Sequence, residues 1–179
     1  ETLLDLAAKG TLHKPAVLTA QAKRMLKDPK SLALTDNFAG QWLQLRKLDR
    51  VTPDAAVFKD WNESLRTAMR QETRMYFDTV VHEDRSVLEF LDSDWTFLNG
   101  TLARHYGNTD VTGDKFVRVR LSGGRRGGVL TQASILTLTS NPTRTSPVKR
   151  GRWVLDNLLN TPPPPPPPGV TQLPDDKKG

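Results

Sequence analysis

The sequence predicts a mainly α-helical protein, an irregular multi-helix bundle with at most one small β element. Apolar residues recur at helical spacing along much of the chain, and proline and glycine mark the ends of these stretches. A single segment near residues 115–121 alternates apolar and basic residues as a strand does. The 179 residues suffice for one ordinary domain or two small ones with a real core.

The N-terminal part predicts three helices. The first lies in ETLLDLAAKGTL and is closed by Gly10, and the second begins at Pro15 and ends before Pro29. The third follows in SLALTDNFAGQWLQLRKL. Its apolar residues near helical spacing are Phe38, Trp42, Leu45 and Leu48. We expect the second and third helices to turn an apolar face toward a common core.

The longest predicted helix covers about residues 60–83, and it carries a carboxylate on its apolar face. Glu72 falls in the middle of that face. A carboxylate there must find a partner, shift its pKa upward or reach water. We favour an ion pair with an arginine of the basic segment described below. A functional carboxylate is the alternative, and no second acid at diagnostic spacing supports it.

The middle of the chain predicts short helical turns and then a strand. In SVLEFLDSDWTFLNGTLARHYG, Ser86, Asp92 or Asp94, and Asn99 are natural N-caps. Asp92 and Asp94 could form a pair of catalytic acids, but capping and turn chemistry explain them better. KFVRVRL predicts a strand in a hairpin or at a sheet edge, and VLTQASILTLTS predicts a buried helix.

A basic helix follows, in NPTRTSPVKRGRWVLDNLL, with Thr145 or Ser146 as its N-cap and Pro147 as its first residue. Helical spacing predicts that Trp153 lies away from the core, either covered by another domain or used as a stacking surface. We expect the packing face to consist of Val148, Gly151, Leu155, Leu158 and Leu159, with Gly151 permitting close approach of a backbone.

The start of this helix is also a candidate anion site, although capping alone is the favoured interpretation. The candidate contacts for an anion or for a neighbouring domain are Arg144, Thr145, Ser146, Lys149, Arg150 and Trp153.

The positive charge of the chain is concentrated in one segment. The net charge is +6, yet no Asp or Glu occurs between Lys115 and Leu155. We call this stretch the basic segment; its cations are Lys115, Arg118, Arg120, Arg125, Arg126, Arg144, Lys149, Arg150 and Arg152. Such a segment attracts phosphates, carboxylates or sulfates, or it pairs with the acidic part of its own chain.

The absent and isolated residue types exclude several kinds of site. Without cysteine, the chain has no disulfide, thiolate metal site or cysteine nucleophile. Its histidines, His13, His82 and His105, form no metal-ligand pair, and His105 fits a surface histidine better than an axial haem ligand. No apolar run is long enough to cross a bilayer.

The chain continues into a proline run, Pro162–Pro168, which predicts a polyproline II spacer of roughly 20 Å at about 3.1 Å per residue. The first residue is Glu1 and the last residues form a polar tail, so we expect the sequence to be a piece of a longer protein. Localisation is then not readable from the chain directly.

Three stretches carry a resemblance to a family: DNFAGQWLQLRKLDRV, LRTAMRQETRMYFDTVVHEDRSVLEFLDSDWTFLNGTLARHYG and RRGGVLTQASILTLTSNPTRTSPVKRGRWVLDNLLNTPPPPPP. They resemble the large multidomain planctomycete cytochrome c domain proteins. Residues 1–107 resemble the C-terminal part of a helical domain of unknown function (1592). Residues 108–161 resemble the N-terminal part of a cytochrome-c-associated domain (1588), and residues 162–179 form the linker and tail.

The resemblance implies a c-type haem in the adjoining downstream domain and none in this chain. In the family, a C-x-x-C-H element follows the proline run. The parent protein would be exported, because covalent c-haem is assembled outside the cytoplasm. Its expected partners are the downstream haem domain and a redox partner protein. We expect the seam near residue 108 to be a family boundary more than a physical one.

The sequence supports three hypotheses. The first is a non-catalytic scaffold or docking segment beside the haem domain, associated with electron transfer. The alternative is a module that binds an acidic polysaccharide or nucleic acid through the basic segment, although nucleic acid is disfavoured because no recognised binding motif is present. The third is a hydrolase using Glu72 or the Asp92 and Asp94 pair, which lacks a nucleophile and base. Whether the parent is an enzyme stays open.

Overall fold

The computed structural model describes residues 2–124 and 126–165, and over these residues the chain is mainly α-helical. The α-helices are α1 (Thr2–Ala8), α2 (Pro15–Leu26), α3 (Leu32–Leu34), α4 (Gly40–Trp42), α5 (Glu63–His82), α6 (Gly100–His105), α7 (Ala133–Leu138) and α8 (Pro147–Asn157). The strands are β1 (Trp95–Leu98) and β2 (Val117–Arg120). A π-helical turn spans Thr35–Ala39, and 3₁₀ turns span Pro29–Ser31, Leu45–Arg50, Val87–Phe90 and Val129–Thr131.

Helix α5 is the central element. The side chain of Asn62 accepts a hydrogen bond from the Leu65 N–H, which caps the helix. The helix contacts β1, α6, α7 and the π-helical turn, so it is surrounded on several sides. Its buried residues are Leu65, Ala68, Met69, Glu72, Thr73, Tyr76, Phe77 and Val80.

The core has two clusters, and each combines residues from both family segments. One contains Tyr76 and Phe77 of α5 together with Val129, Ile135 and Trp153. The other surrounds the first half of α5 and includes Ala133 of α7. Because residues before position 107 and after position 126 share both clusters, the seam near residue 108 does not divide the packed core.

The sheet has two antiparallel strands among the described residues, with Trp95 opposite Arg120 and Leu98 opposite Val117. Strand β2 lies in the segment whose alternation predicts it. The prediction for the residues of strand β1 is wrong, because their sequence pattern favours a helical turn and they form a strand. Trp95 stacks on Tyr76 of α5, with ring centroids 4.4 Å apart, so tertiary packing and pairing with β2 outweigh the local pattern.

The first helices also differ from expectation. No residue of α2 is buried, so its apolar residues do not join the core as predicted. A helical period identifies an apolar face but not the surface that covers it. The predicted third helix is interrupted by the π-helical turn and ends where Gln44 adopts a left-handed conformation, with φ 58°.

Helix α8 begins as predicted but is rotated relative to its predicted orientation. Ser146 is the N-cap and its Oγ accepts a hydrogen bond from the Lys149 N–H at 3.3 Å. Trp153, expected on the outer face, is only 6% exposed and belongs to the core, whereas Val148 is 81% exposed. Burying an indole removes more apolar surface from water than burying a valine, which explains the rotation.

The residues after α8 are described only in part. Pro162–165 are exposed and belong to no helix or strand. The rest of the proline run and the tail, residues 166–179, lie outside the described residues. The polyproline spacer therefore stays a prediction.

Two glycine substitutions test this packing. Gly128 has φ 61°, and a Cβ there would lie 2.5 Å from the backbone of Leu91. We expect Gly128→Ala to lower the free energy of unfolding by about 3 kcal/mol or more, measured by urea denaturation. Gly151 lies in α8 with nothing within 4 Å of its added Cβ, so Gly151→Ala is expected to add about 0.5–1 kcal/mol. A destabilising Gly151→Ala would indicate that Gly151 packs closely against a neighbouring backbone, as the sequence predicts, and would contradict the orientation of α8 in the structure.

Candidate functional site

A fully buried carboxylate lies where the two family segments meet. Glu72, midway along α5, accepts a hydrogen bond from the Thr96 hydroxyl of β1 at 2.7 Å. It accepts a second from the Tyr106 hydroxyl, just after α6, at 2.6 Å. An Arg126 guanidinium nitrogen lies 3.5 Å from the same oxygen that Thr96 contacts. We call Glu72, Thr96, Tyr106 and Arg126 the junction network.

Tyr106 connects this network to α7. Its hydroxyl oxygen accepts the Ala133 N–H at 2.6 Å while donating its own proton to Glu72. The Arg126 guanidinium carbon lies 3.4 Å from the centroid of the Tyr106 ring, a cation–π contact. The arginine therefore touches both the carboxylate and the ring that orients it.

Burial dominates the electrostatics of this site. Loss of hydration raises the pKa of Glu72 from 4.5 to about 7, and the hydrogen bonds from Thr96 and Tyr106 and the charge of Arg126 offset only part of that effect. Burial also raises the pKa of the Tyr106 hydroxyl, and the neighbouring Glu72 adds to the increase. Glu72 thus changes its charge near neutral pH while the tyrosine stays a hydrogen-bond donor.

The arrangement binds a proton but offers no contact to a substrate. Glu72 has no exposed surface, so it cannot reach a reacting molecule as general acid or base. Asp92 and Asp94 line an open depression of about 440 Å³ that Arg126 also borders. Asp94 forms an ion pair with Arg120 of β2 at 2.9 Å, so its carboxylate binds an arginine of the sheet. The structure does not bring Glu72 together with either aspartate.

The predicted contact residues near α8 divide into two groups. Arg150 donates to the hydroxyls of Thr139, at 3.4 Å, and Thr145, at 3.2 Å. Lys149 donates to the Ser140 carbonyl oxygen at 3.4 Å. These contacts tie the start of α8 to the loop that follows α7. Trp153 faces the core instead, so it does not share a surface with the cations as predicted.

An apolar cleft of about 510 Å³ lies beside the network, between the two family segments. Phe58, Trp61 and Met69 line it from one side, and Tyr106 and Lys149 border it. His105 also lines this cleft, and burial, followed by the charge of Arg126, lowers its pKa. His105 is exposed at the rim of the cleft, as expected of a surface histidine.

Much of the basic segment pairs with acids of the same chain. Arg118 lies 3.1 Å from Glu83, and Arg120 and Arg126 pair with acids as described above. Arg152 lies 3.4 Å from Asp156. Three of these four acids precede residue 107, so the acidic and basic parts of the chain neutralise each other across the junction.

Sequence patterns identify Glu72, and the predicted ion pair with an arginine of the basic segment is confirmed, but the patterns do not say which arginine or which other residues contact the carboxylate. Thr96 and Tyr106 carry no distinguishing signal, and Arg126 is one of nine equivalent cations. Over residues 2–124 and 126–165, no group of three or more His, Asp or Glu side chains is placed to hold a metal ion. Within the same ranges, none of the helices combines the length and apolar character needed to cross a membrane.

Titration of Glu72 should be measurable through stability. The folded-state pKa exceeds the unfolded value of 4.5, so the protonated carboxyl favours folding below pH 4.5, and this contribution is lost as the pH rises through 7. We expect the free energy of unfolding to lose on the order of 3 kcal/mol from this group between pH 5 and 8. Glu72→Gln, which cannot titrate, should flatten the dependence in urea denaturation. Parallel curves of unfolding free energy against pH for the parent and Glu72→Gln proteins would contradict a raised pKa of Glu72.

Comparison with known families finds two family models that match successive parts of the chain. Residues 1–107 match the model of the family PSD4, a protein of unknown function (DUF1592), and residues 126–179 match PSCyt3, a protein of unknown function (DUF1588). Both are planctomycete cytochrome c-type domain families by name. No curated protein and no solved structure shows significant similarity to the chain. With more than half of its length matched, the chain belongs to the PSD4 family and continues into a PSCyt3 segment.

Proposed function

We propose that this chain is a scaffold that holds and docks an adjoining c-type haem domain of the same parent protein, in a role associated with electron transfer. The observation that carries the proposal is the attachment of α8 to the core immediately before the proline run. A helix fixed at both ends gives the following segment a defined starting position and direction.

The attachment of α8 is built from side chains far apart in sequence. The Trp42 indole N–H donates to the Asn157 carbonyl oxygen at 2.7 Å, and the Gln44 amide donates to the Asn157 side chain at 2.9 Å. Trp153 is packed in the core one turn earlier. Only a few residues then separate this anchor from the exposed Pro162.

The residues of this chain do not fit a covalently bound haem. Thioether attachment needs cysteines, and the sequence has none. The haem of the proposal therefore belongs to the domain beyond the proline run, and the chain contributes a surface to it. Export of the parent protein follows from the same proposal, because c-haem is attached outside the cytoplasm.

The basic start of α8 is the proposed docking surface, which we define as Arg144, Thr145, Ser146, Lys149 and Arg150. Positive groups beside haem propionates offset their charge and raise the reduction potential. The braced Arg150 and Lys149 side chains supply such charge at a fixed position. Trp153 is no longer part of this surface.

Binding of a polyanion is the competing proposal, and the ion pairs weigh against it. Arg118, Arg120 and Arg126 are engaged with acids, so phosphate or sulfate groups would have to displace them. Exposed ion pairs are individually weak, so a strongly charged polymer can compete with them and is the ligand to test.

The first experiment extends the chain through the coding sequence that follows Gly179 and expresses it with c-haem maturation. We expect a pyridine haemochrome spectrum of the c type. The same preparation without maturation is the control. Absence of covalent haem would overturn the electron-transfer proposal.

The holding role has a separate readout, because the chain contains no native cysteine. A fluorescent dye on Val148→Cys, at an exposed site of α8, should be quenched by the haem with one dominant lifetime if the domains are held together. Trp42→Phe removes the bond to Asn157 and should broaden the lifetime distribution. A broad distribution in the parent protein would contradict a rigid scaffold.

Polyanion binding is tested on the present chain with immobilised heparin. Because Arg118, Arg120 and Arg126 are paired with acids, we expect elution at or below roughly 0.15 M salt, with a salt slope that corresponds to fewer than about two released ions. Arg144→Gln with Lys149→Gln is the matched pair of variants. Tight retention that these variants abolish would favour the polyanion function.

A further inference from the structure

A second polar constellation lies at the C-terminal end of α5, away from the junction network. Ser31 Oγ lies 2.8 Å from His82 Nε2. His82 Nδ1 lies 2.9 Å from the Asp78 carbonyl oxygen and 3.1 Å from the Asp78 carboxylate. We propose that Ser31 is a nucleophile activated by His82 and oriented through Asp78, and that it accepts acyl groups from small aliphatic esters.

The hydrogen bonds select the tautomer that this chemistry needs. Nδ1 faces two oxygen acceptors, both from Asp78, so Nδ1 carries the proton. Nε2 is then an acceptor, and the Ser31 hydroxyl donates to it. A hydroxyl that donates to a neutral imidazole is the arrangement in which histidine acts as general base toward serine.

The carboxylate is itself held in place. The Thr35 hydroxyl donates to Asp78 Oδ1 at 2.9 Å, and Thr35 is almost fully buried. The same oxygen lies near His82 Nδ1, so Thr35 fixes the group that stabilises the imidazolium when Ser31 gives up its proton. Thr35 is thus a positioning residue.

The site is open to a substrate. The side chains of His82 and Asp78 are 28% and 31% exposed. His82 forms part of the wall of a cleft of about 560 Å³. Ser31 is not among its lining residues, but its hydroxyl lies 2.8 Å from His82 Nε2, so the cleft begins beside the nucleophile and is the feature that would receive an acyl chain. Its apolar lining comes from Leu18, Ala22, Leu26 and Val81, and its charged lining from Lys23, Lys27 and Asp84, so the two lysines outnumber the one acid. Positive charge in a cleft favours the negative oxygen that develops during acyl transfer.

The reaction balances with water as the second reactant. Ser31 Oγ forms a bond to the ester carbonyl carbon and its proton passes to His82 Nε2. The alcohol leaves with that proton, which gives an acyl-serine. Water then attacks the acyl carbon while Nε2 takes its proton, and the carboxylic acid and the free hydroxyl of Ser31 are released.

This inference does not rest on the proposed docking role. The three residues belong to the PSD4 segment, and none of them is in the junction network or the docking surface. It also differs from the hydrolase hypothesis based on Glu72, Asp92 and Asp94, because it uses a different nucleophile, base and acid.

The experiment treats the folded chain with an alkyne-bearing fluorophosphonate and locates the adduct by mass spectrometry of peptides. We expect adduct formation at Ser31, and hydrolysis of p-nitrophenyl butyrate that Ser31→Ala abolishes. His82→Gln should slow labelling at least about 100-fold, and Asp78→Asn should slow it less. Ser122→Ala, at an exposed serine in a glycine-rich turn, is the matched control and should react like the parent.

Thermal unfolding of each variant separates loss of reactivity from loss of fold. Absence of an adduct at Ser31 in the folded parent would overturn the proposal. So would ester hydrolysis that persists in a folded Ser31→Ala protein.

Discussion

The enclosed carboxylate of Glu72 constrains much of the surrounding structure, because an ionised group without water must be satisfied by its neighbours. Each neighbour comes from a different element: Thr96 from β1, Tyr106 from the end of α6, and Arg126 from the loop before α7. Tyr106 then accepts the backbone N–H that opens α7. One group on the central helix thereby relates the sheet, α6 and the second family segment, and a displacement of any of them leaves a buried polar atom unsatisfied.

Patterns local in sequence predicted what local forces determine. The period of α5, the alternation of β2 and the Ser146 cap all follow from contacts within a few residues. The buried position of Glu72 follows from the same period. Features that depend on distant contacts were missed or misplaced: β1 forms because Trp95 packs on α5, and α8 rotates because its tryptophan finds the core. The contact between Ser31 and His82 spans 51 positions, and no local pattern encodes it.

The boundary between the two family segments lies in the sequence and does not divide the packed core. Val129, Ile135 and Trp153, all from the second segment, complete the cluster around the C-terminal half of α5. A chain cut near residue 107 would leave that apolar surface facing water, along with a carboxylate deprived of Arg126. Ion pairs also connect the two segments, because arginines after position 115 pair with acids before position 107. The two segments are therefore one folding unit.

The π-helical turn at Thr35–Ala39 sets the direction of the side chains that follow it. A π turn accommodates one residue more than an α turn, and each residue of an α-helix advances by about 100°. The side chains after the turn are thus offset by about that angle from the direction a regular helix would give them. Trp42, which bonds to Asn157 at the end of α8, occupies its position because of this offset. A single-residue deletion in the turn would leave a regular helix, yet it would turn the indole away from α8.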